Sequence, residues 1–298
     1  MKIMTSFSKL GNTLCHVDDC SCFVDGTCII SANFDDDRCK AARIVPTRVL
    51  RKNVEKRFDK NDCYMLTVGT SSKGAQIKWR SSDGQWFIKE QFYFQARYWN
   101  DDVVECLASD IMKQLGIFCV EQHLGTIGGL GCSYSKWWGS KTFISFGKLD
   151  RENKLAKYKD PLDKMYYAEE VLSKRIGDEA KQYLADLILI DFIIGNEDRH
   201  AYNFGVWFDE SKIKFELAPI FDCGLSLFEH DSFYAGKTLN QVLSKMSQKP
   251  FGGRQVLLKH FANAGLLRRW KFSIPEELIP NDLARQYLKW SKEYLSEL

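Results

Sequence analysis

Residues 195–205 read Gly195-Asn196-Glu197-Asp198-Arg199-His200-Ala201-Tyr202-Asn203-Phe204-Gly205. They close the longest nearly apolar stretch of the chain, residues 183–195, which only Asp186 and Asp191 interrupt. A segment apolar nearly all round is a buried helix, here predicted over 178–194. A polar loop therefore begins where a central helix ends. Nineteen residues beyond Asn203 stands Asp222, within Phe221-Asp222-Cys223-Gly224. The runs 204–208 and 215–220 read as the strand pair that holds both loops. The Asp222 carboxylate and the Asn203 amide oxygen are hard donors suited to Mg²⁺. A second carboxylate, Asp198, is suited to orient an attacking hydroxyl and accept its proton. An Asp and an Asn five residues apart are common by chance as turn carboxylates and caps. The place after a buried helix and ahead of F-D-x-G is what gives the pair meaning.

This order of parts is the one in which protein kinases set out a catalytic loop and a metal-binding segment. The first half of the chain supplies what such a site still needs. Residues 64–69, 75–80 and 86–91 read as strands, and the last two are joined across Asp83-Gly84, a strong hairpin signal. Lys89 lies at the end of the apolar run Trp86-Phe87-Ile88, placed to reach ATP phosphates from a sheet. A helix is predicted over 102–116, with Val104, Leu107, Ala108, Ile111, Met112 and Leu115 on one face. It carries Glu105, which pairs with the Lys89 ammonium in this reading. Singly, Lys89 is an exposed strand lysine and Glu105 a solvated helix residue; jointly with the second-half loops they read as functional. Ser71-Ser72-Lys73-Gly74-Ala75-Gln76-Ile77-Lys78 contains one glycine and is not a Walker A sequence, but its backbone N–H groups suit a cover over phosphates.

The chain has 298 residues, 45% hydrophobic, 13% aromatic and 27% charged, which excludes a mainly disordered or collagen-like protein. No run approaches the ~18 uninterrupted apolar residues of a membrane span, and no long apolar run follows Lys2. The expectation is cytoplasmic residence, with non-Sec export left open. The pattern is α+β: a segment 1–58 of no assigned role, a β-rich lobe over 59–148 with one helix, and a mainly helical lobe over 149–298. Residues 51–60 are a charged boundary, 141–146 a further strand and 149–164 a polar linker or surface loop. Helices are predicted over 161–175 and, capped by Asn281, to residue 294. Five of the ten cysteines (Cys15, Cys20, Cys22, Cys28 and Cys39) fall in the first 40 residues without paired C-x2-C spacing. They read as reduced thiols in a β-rich segment rather than as a zinc site. The net charge is +3, yet residues 235–271 hold eight Lys or Arg and no Asp or Glu. This reads as a solvated basic surface, the alternative being attraction of an acidic protein or its RNA. Phe251, Phe261 and Trp270 are too sparse to suggest base stacking.

These residues give the chain a family resemblance. It resembles the HipA-like serine/threonine protein kinases, toxins of bacterial HipBA-type modules, and their shorter HipT- and CtkA-like relatives. S-S-K-G-A-Q-I-K is similar to that family's phosphate loop, G-A-Q-x-K. D-F-I-I-G-N-E-D-R-H-A-Y-N-F-G-V is similar to its catalytic loop and L-A-P-I-F-D-C-G-L-S-L to its metal-binding segment. Lys249-Pro250-Phe251 resembles a piece further on, and the match runs over about residues 64–260. The resemblance implies a two-lobed protein-kinase-like fold using ATP and Mg²⁺, with Asp198 as catalytic base and Asn203 and Asp222 as metal ligands. It makes Lys89, paired with Glu105, the ATP-phosphate lysine, and Gly74, Ala75 and Gln76 the phosphate loop. His200 becomes a structural support of the catalytic loop, and Ser145 and Phe146 fall at the adenine hinge. Ser71 and Ser72 lie where the family autophosphorylates, an event expected to repel ATP. The implied partners are a protein substrate, such as a translation factor or aminoacyl-tRNA synthetase, and a HipB-like antitoxin. No membrane and no direct sequence-specific nucleic acid are expected. The chain is shorter than full-length HipA, and residues 1–58 match nothing in the family. A kinase-fold enzyme acting on a small molecule or lipid would use the same parts. A pseudokinase binding module is the remaining alternative, and intact Lys89, Asp198, Asn203 and Asp222 argue against it.

Overall fold

Asp83 accepts a hydrogen bond from Gln85 N at 3.0 Å, and Gly84 takes φ 71°, so the Asp-Gly pair closes a tight hairpin. In the computed structural model this hairpin is the middle of a six-stranded sheet. Its strands are β1 (Lys56–Phe58), β2 (Cys63–Met65), β3 (Lys78–Ser81), β4 (Trp86–Glu90), β5 (His123–Ile127) and β6 (Leu130–Lys136). They lie in the order β1-β5-β6-β4-β3-β2, antiparallel except for the parallel pair β1–β5. The structure describes residues 54, 56–66, 76–91, 99–139, 141–228, 234 and 236–298. Of residues 7–10, 13–16, 23–24, 27–28, 93–94 and 97–98 it describes the backbone pairing alone. The readings made on residues 1–53, the early cysteines among them, therefore lie outside the described residues.

Alternation along β4 sets the two faces of the sheet. Ile88 joins Trp79, Ile127, Cys132 and Tyr134 in an apolar cluster, while Lys89 points the other way, to α1 (Asp101–Gln114). The charged stretch 51–60 is not a plain boundary, because Lys56–Phe58 forms the sheet edge. Lys56 lies over the Trp86 ring at 3.8 Å and Phe58 meets Tyr134 edge-on at 5.2 Å. Aromatic partners fix this strand, and a run of charges hides it in the sequence.

The rest of the chain packs around one helix. It comprises α2 (Phe146–Leu149), α3 (Pro161–Ile176), α4 (Glu179–Ile193), α5 (Leu239–Leu243), α6 (Arg254–Asn263) and α7 (Asp282–Ser296). A three-stranded antiparallel sheet, β7 (Lys141–Ser145), β8 (Gly205–Asp209) and β9 (Lys214–Leu217), completes it in the order β7-β8-β9. Every residue of α4 from Tyr183 to Ile193 is buried. Asp160 caps α3 ahead of Pro161, and Asn281 caps α7 through Ala284 N at 2.7 Å. The class is thus α+β, as the pattern implied. The sequence pattern does not reveal α5, which is only five residues long, or α6, whose Arg254, Lys259 and His260 mask the buried face Leu257, Leu258 and Phe261. Among the described residues no helix is long and apolar enough to cross a membrane.

Candidate active site

The sheet, α1 and the loop after β9 meet at one ammonium group. Lys89 Nζ donates to Glu105 Oε1 and, at 2.7 Å, to Asp222 Oδ1. The other Glu105 oxygen accepts from Cys223 N at 3.1 Å. Segment 221–224 runs directly against the first turn of α1: a Cβ on Gly224 would lie 3.3 Å from that of Asp101. Asp222 has φ 61°, a conformation Asp tolerates better than most residues. Lys89 and Glu105 are almost fully buried, whereas the Asp222 side chain stays 39% exposed. Burial works against the charge on Lys89, but Asp222 and Glu105 outweigh it and hold the lysine protonated well above its ordinary value. Burial likewise opposes the Asp222 charge, and Lys89 reverses that, bringing the carboxyl down to about 2. Lys78 stands opposite Lys89 across β3 and β4. Burial and then the neighbouring ammonium lower its pKa.

A second network shapes the loop after α4. Arg199 is fully buried and its Nε and Nη2 grip both oxygens of Asp191 at 3.0–3.2 Å. Its Nη1 donates to Asn203 O at 3.1 Å and to Phe221 O at 2.5 Å, and Nη2 to Cys223 Sγ at 3.3 Å. One guanidinium therefore fastens segment 196–203 to segment 221–223, using a planar fork that a lysine lacks. Asn196 adds Nδ2 to Asp191 Oδ1 at 2.9 Å and accepts Asp198 N at 3.0 Å. Buried Arg254 donates to Asp191 O at 3.1 Å and to Asn196 O. Asp198 is left at the surface of this frame, with its side chain 36% exposed and Lys249 Nζ 3.4 Å from Oδ1.

The donor set fits a magnesium ion. Asp222 offers a partly exposed carboxylate that Lys89 holds down to about 2, and Asn203 donates Nδ2 to Asp198 O at 3.4 Å, which leaves its amide oxygen as the group able to ligate. Among the described residues no group of three or more His, Cys, Asp and Glu side chains forms a cage. Mg²⁺ is usually bound through one or two protein oxygens, the rest of its shell being water and substrate phosphates, and Asp222 and Asn203 are two such oxygens.

The remaining sequence-predicted residues fall in several places. His200 is half-buried; its N donates to Asp198 O at 2.8 Å and its Nδ1 accepts Tyr202 N at 3.2 Å, so it shapes the loop. Gln76 donates to Asp101 Oδ2 at the start of α1 and to Glu90 O at 3.4 Å. Ser145 ends β7 with its side chain buried, and Phe146 is wholly buried, stacked on Phe204 at 5.0 Å. The N–H groups of Phe146 and Gly147 are taken by Phe204 O and Ala201 O, each at 2.7 Å. Both side chains at the expected hinge thus belong to the core. Ser71, Ser72, Gly74 and Ala75 lie outside the described residues. Asp191, Glu197, Arg199, Lys249 and Arg254 were not singled out for the site. The available signal was Asp191, since a carboxylate inside an apolar helix must find a partner.

The acid-free stretch 235–271 is not a continuous basic surface. Arg254 is buried under the loop, and Arg268 pairs with Asp186 through Nε at 2.7 Å and Nη2 at 2.8 Å. The cations of this stretch were counted in sequence, but part of them serve carboxylates from α4 and its following loop.

No protein-family model matches the chain. Over 80 residues it is 30% identical to the serine/threonine-protein kinase CtkA of Helicobacter pylori, an alignment covering 26% of this chain and 24% of that protein. The chain thus spans about a quarter of the curated relative it matches. Among solved structures it is similar to the Helicobacter pylori proinflammatory kinase CtkA, with 22% identity, a TM-score of 0.46, and 64% of this chain and 67% of that one covered. It is also similar to a chain of the Shewanella oneidensis toxin–antitoxin complex of HipA, HipB and operator DNA, with 14% identity, a TM-score of 0.43, and coverages of 78% and 66%. The sequence match is thus a distant similarity to a serine/threonine-protein kinase over about a quarter of the chain.

Proposed function

We propose that the chain is an ATP- and Mg²⁺-dependent serine/threonine protein kinase of HipA type. The observation that carries this reading is the Lys89 ammonium clamped by Glu105 and Asp222. In this reading residues 59–148 act as the N-lobe and 149–298 as the C-lobe, with residues 1–58 a separate segment. Lys89 holds ATP phosphates, and Gly74, Ala75 and Gln76 cover them. Asn203 and Asp222 hold Mg²⁺, which neutralises charge on the phosphate oxygens when bound. Asp198 accepts the proton of a protein hydroxyl as that oxygen bonds to the γ-phosphorus. The bond from γ-phosphorus to the β–γ bridging oxygen breaks, and its electron pair leaves with ADP. Ser71 and Ser72 are acceptors within the chain itself, and a HipB-like antitoxin is its partner.

The test is the intact mass of the chain after incubation with Mg·ATP, beside Asp198→Asn. A gain in whole phosphates that the variant lacks is the expected result. Equal gains in both, or no gain by the wild-type chain together with none by a supplied protein acceptor, would overturn the reading.

A further inference from the structure

Lys249 reaches Asp198 from 51 residues away in the sequence, and its backbone is held far more firmly than its side chain. Ser247 N donates to Glu197 Oε1 at 2.7 Å, and Tyr234 OH donates to that same oxygen at 2.7 Å. Arg254 N donates to Gln248 Oε1 at 2.7 Å, and Arg254 Nη2 reaches Lys249 O at 3.5 Å. Two residues on, Phe251 is buried against Phe204. The chain entering and leaving Lys249 is thus bolted to the loop that carries Asp198. The ammonium stands in the open, with the lysine side chain 57% exposed.

An ion pair this exposed stabilises a fold by only about 0–1 kcal/mol. Stability of that pair therefore does not account for a buried arginine, a glutamate and an aromatic anchor that hold the segment 247–251 around it. Charge at the site does. Arg199, the cation of the loop itself, is turned inward and spent on Asp191, and Lys89 is engaged by two carboxylates. Lys249 places a cation beside Asp198 on the solvent side, where an acceptor hydroxyl would arrive.

We infer that Lys249 is a catalytic residue of the phosphoryl transfer proposed above, on which this inference rests. Its ammonium orients Asp198 Oδ1 toward the acceptor hydroxyl. As the acceptor oxygen bonds to the γ-phosphorus and the bond to the ADP oxygen breaks, it faces the negative charge on the transferring group. The proton of the hydroxyl still goes to Asp198, and Lys249 exchanges none.

The test compares Lys249→Met and Lys249→Arg with wild type and with Lys259→Met, a charge control on the exposed side of α6. Two quantities are read: the rate of transfer against ATP concentration, and the affinity for Mg·ADP with and without aluminium fluoride, a mimic of the transferring phosphoryl group. Lys249→Met is expected to lower kcat by about 100- to 1000-fold, the scale of losing one transition-state partner. Its KM for ATP and its Mg·ADP affinity stay within about twofold of wild type, while the added affinity from aluminium fluoride is lost. Lys249→Arg restores most of both, and Lys259→Met matches wild type. A Lys249→Met protein equal to wild type in kcat and in aluminium fluoride affinity, or faster, overturns the inference and leaves the kinase reading standing. So does a parallel loss of ADP affinity and thermal stability, the mark of a structural role only. A wild-type chain that transfers no phosphate overturns both.

Discussion

At the scale of single residues, the site is an exercise in keeping buried charge paired. Taking Lys89 and Glu105 out of water costs several kcal/mol each, and this is offset because the ammonium meets two carboxylates and Glu105 also accepts a backbone N–H. Asp222 is held at about 2 against an ordinary 3.8, so its folded form is the weaker acid-binder. A depressed carboxylate contributes stability that is present above its ordinary pKa and lost as pH falls through the folded value. In metal-free buffer, the stability difference between wild type and Asp222→Asn is therefore expected to shrink between pH about 4 and 2. Urea unfolding of both proteins across that range checks this, and a difference that holds or grows toward pH 2 would contradict it. The Lys89–Glu105 pairing was legible because both residues stand in ordered motifs. Arg199 was visible in the stretch 195–205, but its role was not. Its partners come from helix α4, the loop before β8 and the segment after β9, and only folding shows that they converge.

At the scale of elements, the joint between the site loop and β8 leaves no room for a side chain. A Cβ on Gly205 would stand 2.2 Å from Ile144 O and 2.8 Å from Ser145 Cα, both backbone atoms of β7. Gly205 N also donates to the buried Tyr183 OH at 3.3 Å, so the strand cannot slide away without breaking with α4. Gly205→Ala is expected to cost about 3 kcal/mol or more, because main chain rather than a flexible side chain must shift. Thermal or denaturant unfolding reads this directly, and a loss below about 1 kcal/mol would show that the joint relaxes. Periodicity made β4, α1, α3 and α4 readable to within a residue or two at most ends. It failed for β1, whose two lysine- and arginine-bearing positions look like a linker, and for α6, whose cations obscure its apolar face. In both cases what decides the structure is a partner distant in sequence: Trp86 and Tyr134 for β1, the loop after α4 for Arg254.

At the scale of the whole molecule, α1 is fastened to the helical region at both ends, and that sets where Glu105 stands. Near its start, Glu105 accepts Cys223 N. At its end, the Gln114 amide exchanges two hydrogen bonds with Ser273, Nε2 to O at 2.9 Å and N to Oε1 at 2.8 Å. Just beyond, Ile220 N donates to Phe118 O and Val120 N to Ile220 O, both at 2.9 Å, joining the chain after α1 to the strand that leads into Asp222. Sheet, helix and segment 221–224 are therefore one framework around Lys89, and none of these cross-links has a local sequence pattern. The central claim is that this framework is a Mg·ATP site. The most direct measurement is calorimetric titration of ATP, with and without Mg²⁺, into the wild-type chain and Lys89→Met. The account predicts binding that Mg²⁺ strengthens in the wild type and that falls by about tenfold or more when the phosphate lysine is removed. ATP binding that ignores both Mg²⁺ and the substitution, or no binding at all, would contradict it.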